Sequence, residues 1–356
     1  MIKILFLINH AGKAGTEKYV REMASFAKQQ GAEVFFVYNE HGLLADYMQN
    51  QQFISFQIKM RHPLDIHAAS RLAAICKKHK IDIIHAQYAR ENYIAILSKL
   101  FGSGAAVVYT AHFHIKNNLL WRCTNRIFTR VNHVIIAVCT SIKAMLIENK
   151  CPPDKIKIIF NGVAPTLNPR TKPGGIFTFV TMSRLSPEKG LMFLLASVKI
   201  LSQSGRKFKV LIAGDGEMLS KMENYIAAHN LGGFVDLLGY RSDLLPILRI
   251  SHVYICPSKT EATSFSVLEA MSQSLPAIVT NIGGLPDIVN EKTNCGLLVE
   301  YGDCEAMSRA MERLMGDQKL YDELSQNACV AVNNLFTTER MASETYNIYK
   351  ELIHDD

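Results

Sequence analysis

Apolar residues fall into short, nearly continuous runs, and polar stretches of helical period separate each run from the next. The first run, residues 2–8, reads Ile-Lys-Ile-Leu-Phe-Leu-Ile. A small-residue loop follows, Ala11-Gly12-Lys13-Ala14-Gly15-Thr16-Glu17, and the pattern then predicts a helix over 16–30 stopped by Gly31. Residues 34–38 read as the next strand. This strand, loop, helix, strand order is the opening of a parallel α/β sheet. Further strands are predicted over 81–85, 106–110, 133–137 and 156–159, with a short helix over 141–149. Runs with so little polar alternation belong to strands covered on both faces.

The pattern breaks over 166–175, Thr-Leu-Asn-Pro-Arg-Thr-Lys-Pro-Gly-Gly, which has no periodicity and reads as an interdomain linker. It then restarts. Strands are predicted over 177–182, 209–213, 235–238, 253–256, 277–280 and 296–299, with helices over 190–202 and 266–272 and another after Gly214-Asp215-Gly216-Glu217. Two sheets of one type thus lie in series. Ligands of open parallel sheets bind outside the carboxyl ends of the strands, so two such sheets facing one another would build one deep cleft.

Composition narrows this picture. A chain of 356 residues suits two domains, and 48% apolar against 20% charged residues excludes a disordered chain. No apolar run reaches the roughly 18 residues of a spanning helix. The first run is too short for a signal peptide and lacks a small-residue cleavage site, so a cytoplasmic protein is expected. The eight cysteines include no C-x-x-C pair, which predicts reduced core cysteines rather than a zinc or disulfide framework. Charge is uneven. Residues 1–165 carry 21 Lys and Arg against 10 Asp and Glu, a net +11, whereas the remainder carries 18 against 22, a net −4. The first half is expected to face something anionic.

Two stretches carry candidate chemistry. In Pro257-Ser258-Lys259-Thr260-Glu261-Ala262-Thr263-Ser264-Phe265-Ser266-Val267-Leu268-Glu269, two glutamates stand eight apart across a loop that becomes a helix. Backbone N–H groups at such a helix start can hold a phosphate. Glu269, expected about two turns inside the helix, can accept two hydrogen bonds from a vicinal diol such as a ribose. In Ser183-Arg184-Leu185-Ser186-Pro187-Glu188-Lys189-Gly190, two cations follow a strand; Arg184 offers a fork and Lys189 a point charge to a diphosphate. His112, in Thr110-Ala111-His112-Phe113-His114, stands at the carboxyl end of a predicted strand. No Asp-x-Asp metal motif is present, so no metal site is expected.

Together these pieces resemble the GT-B glycosyltransferases, specifically the retaining family 4 (glycosyl transferases group 1). The resemblance rests on Ala14-Gly15-Thr16-Glu17, Asn161-Gly162-Val163, Arg184 with Lys189, Ile212-Ala213-Gly214-Asp215-Gly216-Glu217, the Glu261 and Glu269 pair, and Gly283-Gly284-Leu285-Pro286-Asp287, in family order along the whole chain. It implies two Rossmann-like domains facing across a cleft: an acceptor domain over 1–165, to which a C-terminal helix in 336–356 crosses back, and a nucleotide-sugar domain over 166–335. It further implies that Arg184 and Lys189 neutralise the donor diphosphate, Glu269 binds the ribose, Glu261 contacts the donor sugar, and backbone amides near Ser264, Phe265 and Ser266 cap a phosphate. Gly15 would let its loop approach the donor closely, and His112 would stand next to the reacting sugar. The expected substrate is a nucleoside-diphosphate sugar of UDP or GDP type, with no cofactor. The expected mechanism is front-face transfer with retention, to a glycan or lipid-linked acceptor.

Two departures from the family pattern matter. Ala14 replaces the first of two usual glycines, and Ala262-Thr263-Ser264 replaces Gly-Phe-Gly, which changes the wall of the sugar pocket. Residues 114–130 carry Arg122, Arg126 and Arg130 four apart with interleaved apolar residues, either an amphipathic helix packed on the sheet or a contact with anionic lipid. No nucleic-acid recognition module is found. The competing readings are an epimerase-like enzyme of the same two-domain plan and a catalytically silent nucleotide-sugar-binding scaffold. A dinucleotide-dependent dehydrogenase is disfavoured, because neither glycine loop reads G-x-G-x-x-G with an acid about 20 positions on.

Overall fold

The computed structural model describes residues 1–12, 15–115, 119–166 and 173–354. It divides into two units: Met1–Asn161 with Thr338–Asp356, and Gly162–Thr337. The chain therefore passes into the second unit four residues before the break in composition and leaves it two residues later than the expected return.

Unit 1 begins β1 (Lys3–His10), α1 (Gly15–Gln29), β2 (Glu33–Glu40), α2 (Leu43–Asn50), β3 (Ile54–Gln57), α3 (Ile66–His79) and β4 (Ile83–Ala86). It continues with α4 (Ala89–Ser98), β5 (Ala106–Ala111), α5 (Leu119–Phe128), β6 (Val134–Ala137), α6 (Thr140–Glu148) and β7 (Ile156–Ile158). The strands form one seven-stranded parallel sheet in the order β3-β2-β1-β4-β5-β6-β7. Ile4 to Ile8 and all six residues of β5 are buried, because helices cover both faces. In α1 the buried Tyr19, Val20, Met23, Ala24 and Ala27 recur at helical spacing on one side. α3 starts at Asp65, whose carboxylate accepts from the Ala68 N–H at 3.0 Å, and ends on Lys77, Lys78 and His79, which suit the helix dipole.

Unit 2 contains β8 (Phe177–Met182), α7 (Leu191–Ser202), β9 (Phe208–Ala213), α8 (Leu219–Ala228), β10 (Val235–Gly239), α9 (Leu245–Ile250) and β11 (Val253–Cys256). After these come α10 (Phe265–Ser272), β12 (Ala277–Thr280), α11 (Leu285–Ile288), β13 (Gly296–Val299), α12 (Cys304–Gly316) and α13 (Gln318–Leu335). Its six-stranded parallel sheet runs β10-β9-β8-β11-β12-β13. In each sheet the order reverses beside the first strand: between β1 and β4, and between β8 and β11.

The last helix, α14 (Thr338–His354), belongs to unit 1. It lies against α1, with the rings of Phe26 and Tyr346 edge to face at 6.0 Å, and the Tyr349 hydroxyl meets His85 Nδ1 at 2.5 Å. Where the chain enters and leaves unit 2, the two segments pair. Val163 bridges Thr337, and the Val163 N–H donates to the Phe336 carbonyl at 2.9 Å. Of the eight cysteines, all free thiols, Cys123 is exposed and Cys304 half-buried; the other six are buried as expected. Among the described residues no helix is long and apolar enough to cross a membrane.

Candidate functional site

In unit 2 the candidate residues gather at the carboxyl ends of β8 and β11, the two strands on either side of the point where strand order reverses. Arg184 and Lys189 lie in the loop after β8, and Glu261, Ser264 and Ser266 follow β11. The two loops touch through backbone that leaves no room for a side chain. Gly190 has φ +67°, and a Cβ there would stand 1.9 Å from the Pro257 carbonyl oxygen. In the loop after β12, Gly283 has φ +59°, and a Cβ there would stand 1.6 Å from the Glu261 carbonyl oxygen. Both positions require glycine for conformation and for space. The Lys259 N–H donates to the Glu188 carbonyl at 2.8 Å and ties the loops directly.

This seating brings Lys189 and Glu261 together across 72 residues of sequence. Lys189 Nζ stands 2.8 Å from Glu261 Oε2, with the side chains 20% and 13% exposed. Ser258 Oγ donates to the same carboxylate oxygen at 3.3 Å. Arg184 differs: its side chain is 78% exposed, and its Nη2 lies 3.4 Å from Glu188 Oε1. Glu188 accepts from Ser186 Oγ at 2.6 Å, and that hydrogen bond holds its carboxyl below the usual range. Among the described residues the site thus holds one anchored cation and one largely exposed cation.

Ser264 caps α10 in extended conformation, but its hydroxyl makes no capping bond; Ser264 Oγ lies 3.1 Å from Ser266 Oγ. The first turn of an α-helix has N–H groups without intrahelical acceptors, and here that turn begins at Phe265. Ser266 also accepts from the buried Tyr254 hydroxyl at 2.8 Å, and Tyr254 lies against Met182 at the end of β8. Burial keeps the Tyr254 phenol far above its usual range, so it stays a neutral donor. Glu269 is half-buried and is the fifth residue of α10. It lies one turn inside the helix rather than two, because the helix begins at Phe265.

In unit 1, His112 follows β5 and is 6% exposed. Its Nε2 lies 3.0 Å from Gln87 Oε1. Gln87 Nε2 donates to the His85 carbonyl at 3.2 Å, which fixes the amide oxygen toward His112. With the amide in that orientation, the neutral ring is assigned its proton on Nε2, which leaves Nδ1 as the acceptor nitrogen. Burial pushes His112 down to about 3, and the Tyr19 ring stands edge-on at 4.9 Å. Behind it His85, also pushed down to about 3 by burial and by His112, is held between Tyr349 and Thr110. His114 is exposed and meets Ser141 Oγ at 3.2 Å. Gly15 is exposed and opens α1; Ala14 lies outside the described residues. Gln87, Tyr254 and Ser258 were not singled out from sequence. A strand-end polar residue after β4, like His112 after β5, is the signal that points to Gln87. Among the described residues, no group of three His, Cys, Asp or Glu side chains is arranged to hold a metal ion.

The family described as glycosyl transferases group 1 matches residues 167–329, and glycosyltransferase family 4 matches residues 14–167. The UDP-Gal:alpha-D-GlcNAc-diphosphoundecaprenol alpha-1,3-galactosyltransferase of Escherichia coli is 26% identical over 355 residues, 90% of this chain and 89% of that protein. A glycosyltransferase structure from Rickettsia africae superposes with a TM-score of 0.88 at 22% identity, over 100% of this chain and 99% of the other. Anabaena HepE in complex with UDP superposes with a TM-score of 0.85 at 17% identity, over 98% and 100%. These likenesses carry the GT-B fold.

Proposed function

Because the chain belongs to the group 1 glycosyl transferases of family 4, we propose that it moves a sugar from a nucleoside-diphosphate sugar to a hydroxyl of a glycan or lipid-linked acceptor, with retention and without a metal. The observation that carries the donor half is the Lys189–Glu261 pair, seated with Arg184 and the start of α10 at the strand-order reversal of unit 2. Arg184 is free to swing onto a diphosphate, Lys189 supplies a fixed charge, and the amides of α10 face the same anion. Glu269 serves the ribose and Glu261 the donor sugar. A UDP donor is favoured by the UDP-Gal named for the Escherichia coli relative.

In the transfer step the bond from the anomeric carbon to the diphosphate oxygen breaks and a bond to the acceptor oxygen forms on the same face. The acceptor proton passes to the departing phosphate. His112, neutral across the physiological range, is no general acid or base there; its bare Nδ1 accepts a hydrogen bond from a sugar hydroxyl.

The lipid side of the reading is supported by α5. Leu119, Arg122, Cys123, Arg126 and Ile127, with Arg130 beyond, are exposed at helical spacing, whereas Trp121 and Phe128 turn inward onto Tyr93. Residues 116–118 lie outside the described residues. This face is our candidate for peripheral contact with anionic lipid on the cytoplasmic side of a membrane. Flotation with anionic vesicles tests it, and equal flotation of R122Q/R126Q/R130Q would end it.

The central test is calorimetric titration with UDP and GDP. Wild type should bind one of them, and R184Q/K189M should lose that binding by about a hundredfold while keeping its melting temperature. Binding of neither nucleotide by wild type would refute the donor reading, and binding without any transfer would favour a silent scaffold. Transfer should persist in EDTA; activity abolished by chelation and restored by magnesium would refute the leaving-group scheme.

A further inference from the structure

Unit 1 contains a cavity of about 600 Å³ whose lining includes Lys59, Arg61, Arg71 and Arg90. It lies at the carboxyl ends of β2 and β3, beside Asn39, Glu40 and Gln57. Four cations face it and one carboxylate, and that carboxylate, Glu40, is engaged with His10 Nδ1 at 3.2 Å. Among the described residues none of the four cations forms an ion pair with a carboxylate. Asp65 feels the charge of Arg61, but its two oxygens accept from the backbone N–H groups of Arg61 and Ala68 and it forms no ion pair with the guanidinium.

Arg90 is the organised member. Its Nη1 donates to Asn9 Oδ1 at 3.1 Å and to the Met60 carbonyl at 3.4 Å. Asn39 fixes that partner, donating to the same Asn9 oxygen at 2.8 Å and accepting from the Met60 N–H at 2.8 Å. Asn9 is the last residue but one of β1 and Arg90 the second residue of α4, which follows β4, so this network spans the place where the strand order of unit 1 reverses. That is where an open parallel sheet receives its ligand. Like charges gathered without counter-charges repel one another, and a multiply charged oxyanion removes the repulsion. The guanidinium forks match phosphate oxygens bidentately. The volume exceeds what a single carboxylate would fill.

We infer that this cavity binds a diphosphate group, and, resting on the transferase reading above, that the group belongs to the acceptor. The shared chemistry is a diphosphate, either free or carried on a lipid. The experiment titrates inorganic pyrophosphate and farnesyl diphosphate into the full chain with the donor site saturated by UDP. Both ligands should bind wild type. R61Q/R71Q, which changes two exposed side chains, should weaken both by about tenfold or more and keep its UDP affinity within about twofold. Tighter binding of farnesyl diphosphate than of pyrophosphate identifies a lipid-carried group; equal binding identifies the free anion. Unchanged binding of both ligands by R61Q/R71Q, or no binding of either by wild type, overturns the proposal. If UDP itself fails to bind, the donor reading falls separately, and the same titrations in R184Q/K189M still decide the cavity.

Discussion

Glu261 poses an electrostatic problem that the Lys189 contact makes measurable. The carboxylate stands 2.8 Å from the ammonium that we assign to the donor diphosphate. A phosphate oxygen taking another hydrogen of the same ammonium would lie about 5 Å from the carboxylate. At an effective dielectric constant of about 40 to 80, two unit charges at that separation repel by about 0.8 to 1.7 kcal/mol. Glu261→Gln keeps the shape and an acceptor for Lys189 and removes the charge. UDP should therefore bind E261Q about fourfold to eighteenfold more tightly than wild type. Turnover should fall by about tenfold or more, because the carboxylate also serves the sugar. Lys189→Met should weaken UDP, and in the double variant the gain from E261Q should be smaller, since the anchor for the phosphate is gone. Calorimetry with UDP at low and high salt gives both numbers, and the gain should shrink as salt rises. If E261Q binds UDP no better than wild type, or loses affinity to the extent that K189M does, the diphosphate does not sit on Lys189 and the assignment is wrong.

Three further outcomes follow from the geometry. Gly190→Ala combines a left-handed φ with a collision against the Pro257 carbonyl, whereas Gly205→Ala has φ +72° and no atom within 4 Å; G205A should cost about 1 kcal/mol, and G190A should melt clearly lower and lose UDP affinity. His85 and His112 are buried and held neutral, so below about pH 6.5 the unfolded chain takes protons that the fold refuses, and stability should be full above that pH and fall as pH drops toward 3. Each histidine contributes about 1.4 kcal/mol per pH unit, so His85→Gln should flatten the acid slope of the melting temperature, and an unchanged slope would refute the burial argument. Glu91 is fully buried and pushed up to about 7 by burial. It costs stability as pH rises from about 4.5 to 7, and Glu91→Gln should stabilise unit 1 by about 3 kcal/mol at pH 8, with little change at pH 4.

The strands that could be read from sequence are those buried on both faces. Residues 177–182, 253–256 and 277–280 match the observed strands because a nearly continuous apolar run leaves no other placement; 296–299 matches too, although β13 is a partly exposed edge strand. β3 was missed for the opposite reason: Ile54–Gln57 is a four-residue edge strand, half exposed, with no pattern to find. The helices α2, α3 and α4 went unassigned. The loop positions of Arg184, Lys189 and Glu261 were legible as spacing, but the Lys189–Glu261 contact was not, because it depends on two glycines that let distant loops meet. The cationic cavity was visible only as surplus charge in the first half. Lys59, Arg61, Arg71 and Arg90 come from separate segments, and only the sheet brings them to one place.

The return of α14 to unit 1 sets an order of events during synthesis. Met341, Ala342, Thr345 and Tyr349 are almost wholly buried, and Tyr349 closes over His85. A nascent chain ending at Thr337 would already contain every strand of the second sheet, with Val163 and Phe336 ready to zip together. The first sheet would still lack its last cover. Although its strands emerge first, unit 1 lacks its last cover until residues 338–354 arrive, so a chain without them should leave part of the apolar side of α1 open to water.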